Sequence, residues 1–347
     1  MFRRDLIVAS LAAAALGSIA YAEEKKMINL NRIEKWDKTF PQSDKVECIK
    51  VSFKNRYGVT LVGDLYVPKN KKTPLPAIAV SGPFGAVKEQ ASGRYAQKLA
   101  ENGFLTLAFD PSFTGESGGE SRAVASPDIN TEDFSAAVDY LSARKDVDPS
   151  KIGILGICGF GGFALNAAAN DPRIKATVTS TMYDMTRVLS KGYSDSMSAE
   201  DRYKLREELN KQRTKDFIAG KPERAGGLPD KLSGSEPLFI RQYWEYYKQP
   251  RGYHPRSLNS NEGWTKTSQL SFMNMPILSY SNEIRTPVMI MHGEKAHSLY
   301  FSQDAFKKLT GDNKELVIVP GAVHVDLYDN DKFIPWKKIV DFYEKNL

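Results

Sequence analysis

The chain has 347 residues, of which 41% are hydrophobic, 26% charged and 11% aromatic, and a formal net charge of +6. That balance excludes a disordered or fibrous chain and allows one large domain or two modest ones. Lysines and arginines are interspersed with acids and form no long basic run, so no nucleic-acid partner is expected. In chain order the first feature is a leader: Arg3 and Arg4, an apolar run from Leu6 to Ile19, then Ala20-Tyr-Ala22 with small residues at the −3 and −1 positions of a cleavage site. It predicts a signal peptide over 1–22, cut after Ala22, and an exported mature chain of net charge +5, periplasmic in a Gram-negative source. The run is short for a membrane span, so no stable membrane anchor is expected after cleavage. Arg3 and Arg4 before Asp5, Leu6 and Ile7 are weakly similar to a twin-arginine signal, which leaves the export route open.

Residues 23–43 are polar and predict a surface wrap. Val46–Phe53 alternates apolar with polar residues and reads as a strand, followed by a turn at Tyr57-Gly58 and a second strand over Thr60–Val67, an antiparallel pair. The continuous apolar run Leu75–Val80 suits a buried parallel strand. A helix over Tyr95–Asn102 with Gly103 as its stop precedes a strand at Phe104–Phe109. Thr131 is the expected N-cap of a helix reaching Lys145. Strands follow at Ile152–Ile157 and Ile174–Ser180, with a helix between them ending near Ala168. From Met182 to Glu283 the alternation stops, and charge and aromatics dominate, as in Arg241-Gln-Tyr-Trp-Glu-Tyr-Tyr247. The stretch is too long for a loop and predicts a mainly helical insertion over 182–284. Strand–helix alternation resumes with Val288–His292, Ser302–Leu309, Glu315–Val319 and Ile334–Tyr343. The expected architecture is α/β: a doubly wound, mostly parallel eight-stranded sheet formed by 23–181 and 285–347, with the helical insertion as a cap.

The chemistry concentrates in Ile152-Gly-Ile-Leu-Gly-Ile-Cys-Gly-Phe-Gly-Gly162. A buried strand runs through a small-residue turn directly into a helix, which lifts the Cys158 side chain above the sheet edge and aims helix amides at it, favouring a thiolate. A buried inert cysteine at a strand end is the structural alternative. The loop Pro320-Gly-Ala-Val-His324 after the last strand offers His324 as base, in the order nucleophile, acid, histidine. The loop His292-Gly-Glu-Lys-Ala-His297 offers Glu294 as the acid for the His324 Nδ1–H, with Asp326 and Asp329 as fallbacks. Gly159 is the expected first oxyanion-hole amide, and Phe84 or Gly85 the second. His297 reads as a polar group at the site mouth or as a helix-start residue. Arg251, His254 and Arg256 read as binders of an anionic substrate or as buried ion-pair partners.

Six segments carry a resemblance: Gly82-Pro-Phe-Gly-Ala-Val-Lys-Glu-Gln90, Ala108-Phe-Asp-Pro-Ser-Phe-Thr-Gly-Glu-Ser-Gly-Gly119, Gly156-Ile-Cys-Gly-Phe-Gly-Gly162, Arg251-Gly-Tyr-His-Pro-Arg-Ser257, His292-Gly-Glu-Lys-Ala-His-Ser298 and Pro320-Gly-Ala-Val-His-Val-Asp-Leu-Tyr328. Together they resemble the α/β-hydrolase superfamily, more narrowly its dienelactone-hydrolase-like branch with a cysteine nucleophile. The resemblance covers nearly the whole mature chain. It implies Cys158 as nucleophile, His324 as base, Glu294 as acid, and neither metal nor organic cofactor. Two positions depart from the pattern. Phe160 stands where elbows of this superfamily usually have a small residue, and the usual acid slot of the His-Gly-x-x-Asp loop falls on Ala296.

In this fold Cys48 lies on the first strand and Cys158 on the fifth, too far apart for a disulfide, so both thiols are expected free. The expected function is hydrolysis of a small-molecule ester, lactone or thioester through a thioester acyl-enzyme. An acyltransferase using the same intermediate, or a non-catalytic binding or redox-sensing protein, are the rival functions. Natural substrate and oligomeric state stay open.

Overall fold

Buried residues alternate between two faces along each central strand, and that alternation places the sheet between two helical layers. Along one strand Ile78 and Val80 join one core cluster while Ala77 and Ala79 join the other, and Leu155 and Ile157 divide from Ile152 and Ile154 in the same way. The computed structural model describes Asn31–Arg32, residues 35–69 and residues 71–347. The expected signal peptide and its cleavage site lie outside the described residues.

The strands are β1 (Asn31–Arg32), β2 (Val46–Lys54), β3 (Thr60–Pro68), β4 (Leu75–Ser81), β5 (Leu105–Phe109), β6 (Val147–Ile157), β7 (Ile174–Ser180), β8 (Val288–Gly293) and β9 (Lys314–Val319). They form one sheet in the order β1-β2-β3-β5-β4-β6-β7-β8-β9. Pairing is antiparallel from β1 through β3 to β5 and parallel from β5 to β9. The eight expected strands are present, and two-residue β1 adds to the edge.

Helices α1 (Ala91–Glu101) and α9 (Trp336–Asn346) cover one face through Tyr95, Leu99, Ile339 and Tyr343. Helices α2 (Pro127–Ser142) and α3 (Gly159–Asn170) cover the other through Phe134, Val138, Phe163 and Ala164. Between β8 and β9 runs α8 (Leu299–Lys308). The start of α2 corrects the sequence reading. Ser126, not Thr131, is the N-cap, accepting from the Ile129 amide, and Pro127 opens the helix. Thr131 lies inside it and donates to the Pro127 carbonyl at 2.7 Å. Its hydroxyl sits where a helix interior tolerates a back-bonded threonine.

The connection from β7 to β8 carries α4 (Met185–Lys191), α5 (Ala199–Ala219), α6 (Leu238–Tyr247) and α7 (Gln269–Phe272), separated by irregular stretches over 220–237 and 248–265. The irregular part is larger than a mainly helical reading implies, because glycines and prolines such as Gly226, Gly227, Pro229, Pro250 and Pro255 interrupt it.

The elbow after β6 depends on close packing. A Cβ at Gly156 would lie 2.1 Å from the Phe160 carbonyl oxygen, so only glycine lets the helix fold back so tightly. Phe160 itself is accommodated by pointing away from the pocket. Its ring is fully buried beneath the turn, with centroids 6.1 Å from Phe134 and 5.1 Å from Phe163. Its bulk fills core instead of straining the elbow. Phe160→Ala should therefore destabilise the fold by about 3–5 kcal/mol, read as a lower denaturation midpoint in guanidinium chloride. A loss below about 1 kcal/mol would contradict this packing role.

Candidate active site

Parallel strands deliver their carboxyl ends to one edge, where α/β sheets form their ligand crevices. Here that edge receives loop 82–90 from β4, Cys158 from β6, Thr181–Tyr183 from β7, residues 294–298 from β8 and residues 320–328 from β9.

Cys158 occupies a strained turn, φ 55° and ψ −124°, as the residue before α3. Its amide donates to Ser180 O at 2.9 Å, and its carbonyl accepts from Gly161 and Tyr183 amides, both at 2.9 Å. These bonds hold the thiol over the sheet edge. The backbone amides of Gly159 and Phe84 both face Sγ, and the Tyr328 oxygen lies beside it. Of the two expected partners for Gly159, the Phe84 amide lies against Sγ, and the Gly85 carbonyl accepts from Ser257 and Asn259. Burial pushes the thiol up to about 11, against the lowering pull of Tyr328 and the two amides. The thiolate that the helix amides favour is opposed by desolvation, which raises the thiol and favours its protonated form.

His324 is fully buried. Its Nε2 lies 3.0 Å from Tyr328 Oη, and its Nδ1 lies 2.6 Å from Ser298 Oγ and 2.9 Å from Thr181 Oγ1. Tyr328 therefore stands between the histidine and the cysteine. Ser298 Oγ also lies 2.9 Å from His292 Nε2, and His292 Nδ1 lies 2.6 Å from Ser302 Oγ. Burial, with the neighbouring His297 and His292 rings, holds His324 well below the ordinary imidazole range, and burial brings His292 down to about 3. Both rings are neutral at physiological pH.

Glu294 does not take part in this arrangement. Its side chain is exposed and accepts from the Gly321 amide at 2.8 Å, because the turn after β8 directs it outward along β9. The fallback acids are engaged elsewhere, Asp326 with the Val323 amide and Asp329 with Arg251. Among the described residues, the groups on His324 Nδ1 are two hydroxyls in place of a carboxylate.

The other expected substrate contacts are also relocated. Arg251 forms a forked ion pair with Asp329, and buried His254 sits in a polar cluster with Asp37 and Ser260; neither lines the cavity beside Cys158. His297 lies behind the cavity wall. Its ring stacks on Phe239 at 4.5 Å and its Nε2 meets the Tyr183 hydroxyl. Burial lowers it to about 4.

The cavity holds about 330 Å³ and is lined by Phe84, Met185, Val188, Leu189, Leu228 and Asn259, with Tyr183, Tyr193, Tyr243, Tyr247 and Tyr328. Among the described residues, no charged side chain lines it. Charge lies behind loop 82–90 instead. Lys88 is fully buried there, with its ammonium 2.6 Å from Glu89, 3.0 Å from Asp110 and 2.5 Å from Glu116. Cys48 and Cys158 are both free. Among the described residues no group of three or more His, Cys, Asp or Glu is placed to hold a metal ion, and no helix is long and apolar enough to cross a membrane.

The residues missed by sequence reasoning are Tyr328, Ser298, Thr181 and His292. One signal for them was available. The empty acid slot at Ala296 is followed by Ser298 in a loop that must supply a partner for His324.

Comparisons with known proteins agree with this architecture. The chain is 58% identical over 322 residues to the uncharacterized protein PA2218 of Pseudomonas aeruginosa, covering 92% of this chain and 86% of that one. The crystal structure of PA2218 superposes with a TM-score of 0.89 at 57% identity, over 92% of this chain and 100% of the other. The α/β hydrolase GrgF from Penicillium sp. sh18 superposes with a TM-score of 0.71 at 21% identity, over 88% and 99% of the two chains. A shorter match, 33% identical over 130 residues, joins 38% of this chain to 40% of the thiohydrolase aneE of Aspergillus aculeatus. The family model described as X-Pro dipeptidyl-peptidase (S15 family) matches residues 57–326. A doubly wound sheet with a glycine-rich elbow, matched by that model over most of its length, belongs to the X-Pro dipeptidyl-peptidase (S15) family of α/β-hydrolase fold.

Proposed function

We propose that this protein hydrolyses an ester or thioester of a neutral, largely apolar acid through a covalent thioester on Cys158, a dienelactone-hydrolase-like chemistry with a cysteine nucleophile. The observation that carries the reading is the Cys158 thiol at a strained elbow, faced by two backbone amides and opening into an uncharged cavity. A volume of about 330 Å³ admits roughly ten groups of water size, at about 30 Å³ each. An X-Pro dipeptidyl substrate brings a free ammonium, which this wall would desolvate without a carboxylate in return. A neutral acyl group bears no such cost, and the partial likeness to a thiohydrolase supports a thioester among the substrates.

The buried polar groups support an oriented relay. The Cys158 S–H donates to Tyr328 Oη, whose O–H donates to His324 Nε2. The His324 Nδ1–H donates to Ser298, whose hydroxyl donates to His292 Nε2. When Sγ attacks the carbonyl carbon, the thiol proton moves to Tyr328 as the Tyr328 proton moves to His324. The oxyanion rests on the amides of Gly159 and Phe84. Collapse of the tetrahedral adduct expels the alcohol or thiol, which takes its proton back along the relay and leaves the thioester. Water then adds, giving its proton to His324, and the returning thiolate is reprotonated as the acid departs. A bound alcohol or thiol in place of water turns the same intermediate to acyl transfer. Hydroxyls behind His324 suffice because sulfur is a strong nucleophile and needs less assistance than an alcohol.

Incubation with p-nitrophenyl butyrate should release a burst of p-nitrophenolate and add a butyryl group at Cys158, seen by intact mass. Cys158→Ala should abolish both, and an undiminished burst from that variant would overturn the assignment. Tyr328→Phe should slow acylation roughly ten- to a hundredfold without preventing alkylation of Cys158; an unchanged acylation rate would remove Tyr328 from the relay. His324 must be neutral to accept the proton, and its range is lowered by burial. Acylation should therefore hold level as pH falls through about 6.5, the ordinary imidazole value, and decline only below it. A half-maximal rate near 6.5 would contradict a desolvated base.

A further inference from the structure

The segment from Arg251 to Asn259 touches both halves of the site, although only Asn259 lines the cavity. At one end the Arg251 guanidinium forks onto Asp329, with Nε 2.9 Å from Oδ2 and Nη2 2.6 Å from Oδ1. Nη2 also donates to the Val325 carbonyl at 3.1 Å. Val325 follows His324, and Asp329 follows Tyr328. At the other end Asn259 Nδ2 donates to the Phe84 carbonyl at 2.7 Å, and its backbone amide donates to the Gly85 carbonyl at 3.1 Å. Ser257 Oγ adds a third donor, 3.0 Å from Gly85 O. The approach is close: a Cβ at Gly85, which has φ +85°, would lie 2.3 Å from Asn259 Oδ1. The segment is also braced from just beyond its end. Asn261 Nδ2 reaches the carbonyl of Ser257 at 2.8 Å and that of Pro255 at 3.0 Å.

We infer that residues 251–259 act as a strap that sets the distance between the two halves of the reaction centre, with Asn259 and Arg251 as its positioning residues. Tying the carbonyls of Phe84 and Gly85 fixes the peptide planes on either side of Gly85, and the Pro83 carbonyl, which shares the plane of the Phe84 amide, accepts from the Ala86 amide at 2.9 Å, so that the strap holds the turn that presents the Phe84 amide to the oxyanion. Tying Val325 and Asp329 fixes the turn that carries His324 and Tyr328. A donor displaced by even an ångström loses most of its value to the transition state, so a short strap of this kind changes rate without touching the scissile bond. The inference rests on the proposed acyl-enzyme chemistry of Cys158.

Two reactions of the same thiol separate the roles. Acylation by p-nitrophenyl butyrate develops an oxyanion. Alkylation by iodoacetamide forms a carbon–sulfur bond as iodide leaves and the thiol proton passes down the relay, and it develops none. Asn259→Ala should lower the maximal acylation rate roughly ten- to a hundredfold, short of the loss of a whole oxyanion donor, with KM and the alkylation rate nearly unchanged. Asn259→Asp should be as slow, since a carboxylate would repel the Phe84 carbonyl. Arg251→Ala, acting through Tyr328 and His324, should slow both reactions, and Arg251→Lys should recover part of the loss. Equal slowing of both reactions in Asn259→Ala would leave that residue only a packing role and overturn the inference. So would a raised KM at unchanged maximal rate, which would make it a substrate contact, or unimpaired acylation. A wild-type protein that is alkylated but never acylated would instead overturn the acyl-enzyme reading, and the strap with it.

Discussion

Burial without countercharge governs this site. Cys158 and His324 are desolvated at the end of a parallel sheet, with hydroxyls and backbone amides as partners where an acid was expected. Desolvation of each group disfavours its charged form, raising the thiol and lowering the imidazole. Both effects push toward the same resting pair, a thiol and a neutral ring. An uncharged cavity wall completes the constraint, because a charged ligand would meet nothing to replace its water. Protonation state, hydrogen-bond direction and substrate polarity thus share one cause.

The charges that the fold does bury lie behind the oxyanion loop. Lys88 contacts three carboxylates there, and Asp110 also accepts from the Lys88 and Glu116 amides at 2.8 and 2.9 Å. Removing one partner of such a network leaves an uncompensated charge, so its arrangement strongly specifies the path of loop 82–90. In front of the same loop the Phe84 ring stacks on Trp264 at 4.3 Å, and residues 257–259 hold its carbonyls. The donor amide is fixed from two sides, by ions at the rear and by neutral hydrogen bonds at the front. The segment singled out for its arginines and histidine therefore has its polar groups turned onto the protein, and the cavity receives only Asn259.

The sheet was legible because its signals are local. Apolar runs bounded by glycine and proline locate β4 and β6, and small residues flanking Cys158 mark the tight elbow. The helix limits were less legible: Ser126-Pro127 competes with Thr131 as a start signal, and proline at the first helical position decides in its favour. Within the candidate site, position relative to strands points to Cys158, His324, Gly159, and Phe84 or Gly85. Glu294 was chosen because it is the nearest carboxylate in sequence. Proximity along a turn does not determine which way a side chain points, and this one lies along β9 on the Gly321 amide.

By itself the sequence determined the order of strands and helices, the placement of a cysteine at the elbow after β6, and a histidine on the loop after β9. These follow from hydrophobic period and turn chemistry, which act over a few residues. Only the tertiary structure decided what surrounds them. Thr181 and Ser298 reach His324 from the connections after β7 and β8, His292 reaches Ser298 from β8, and Asn259 reaches Phe84 across 175 positions of chain. Such contacts are set by the packing of whole elements against one another, and no local period encodes them. The same packing removes water from the thiol and the imidazole, and so fixes the charge state in which the chemistry begins.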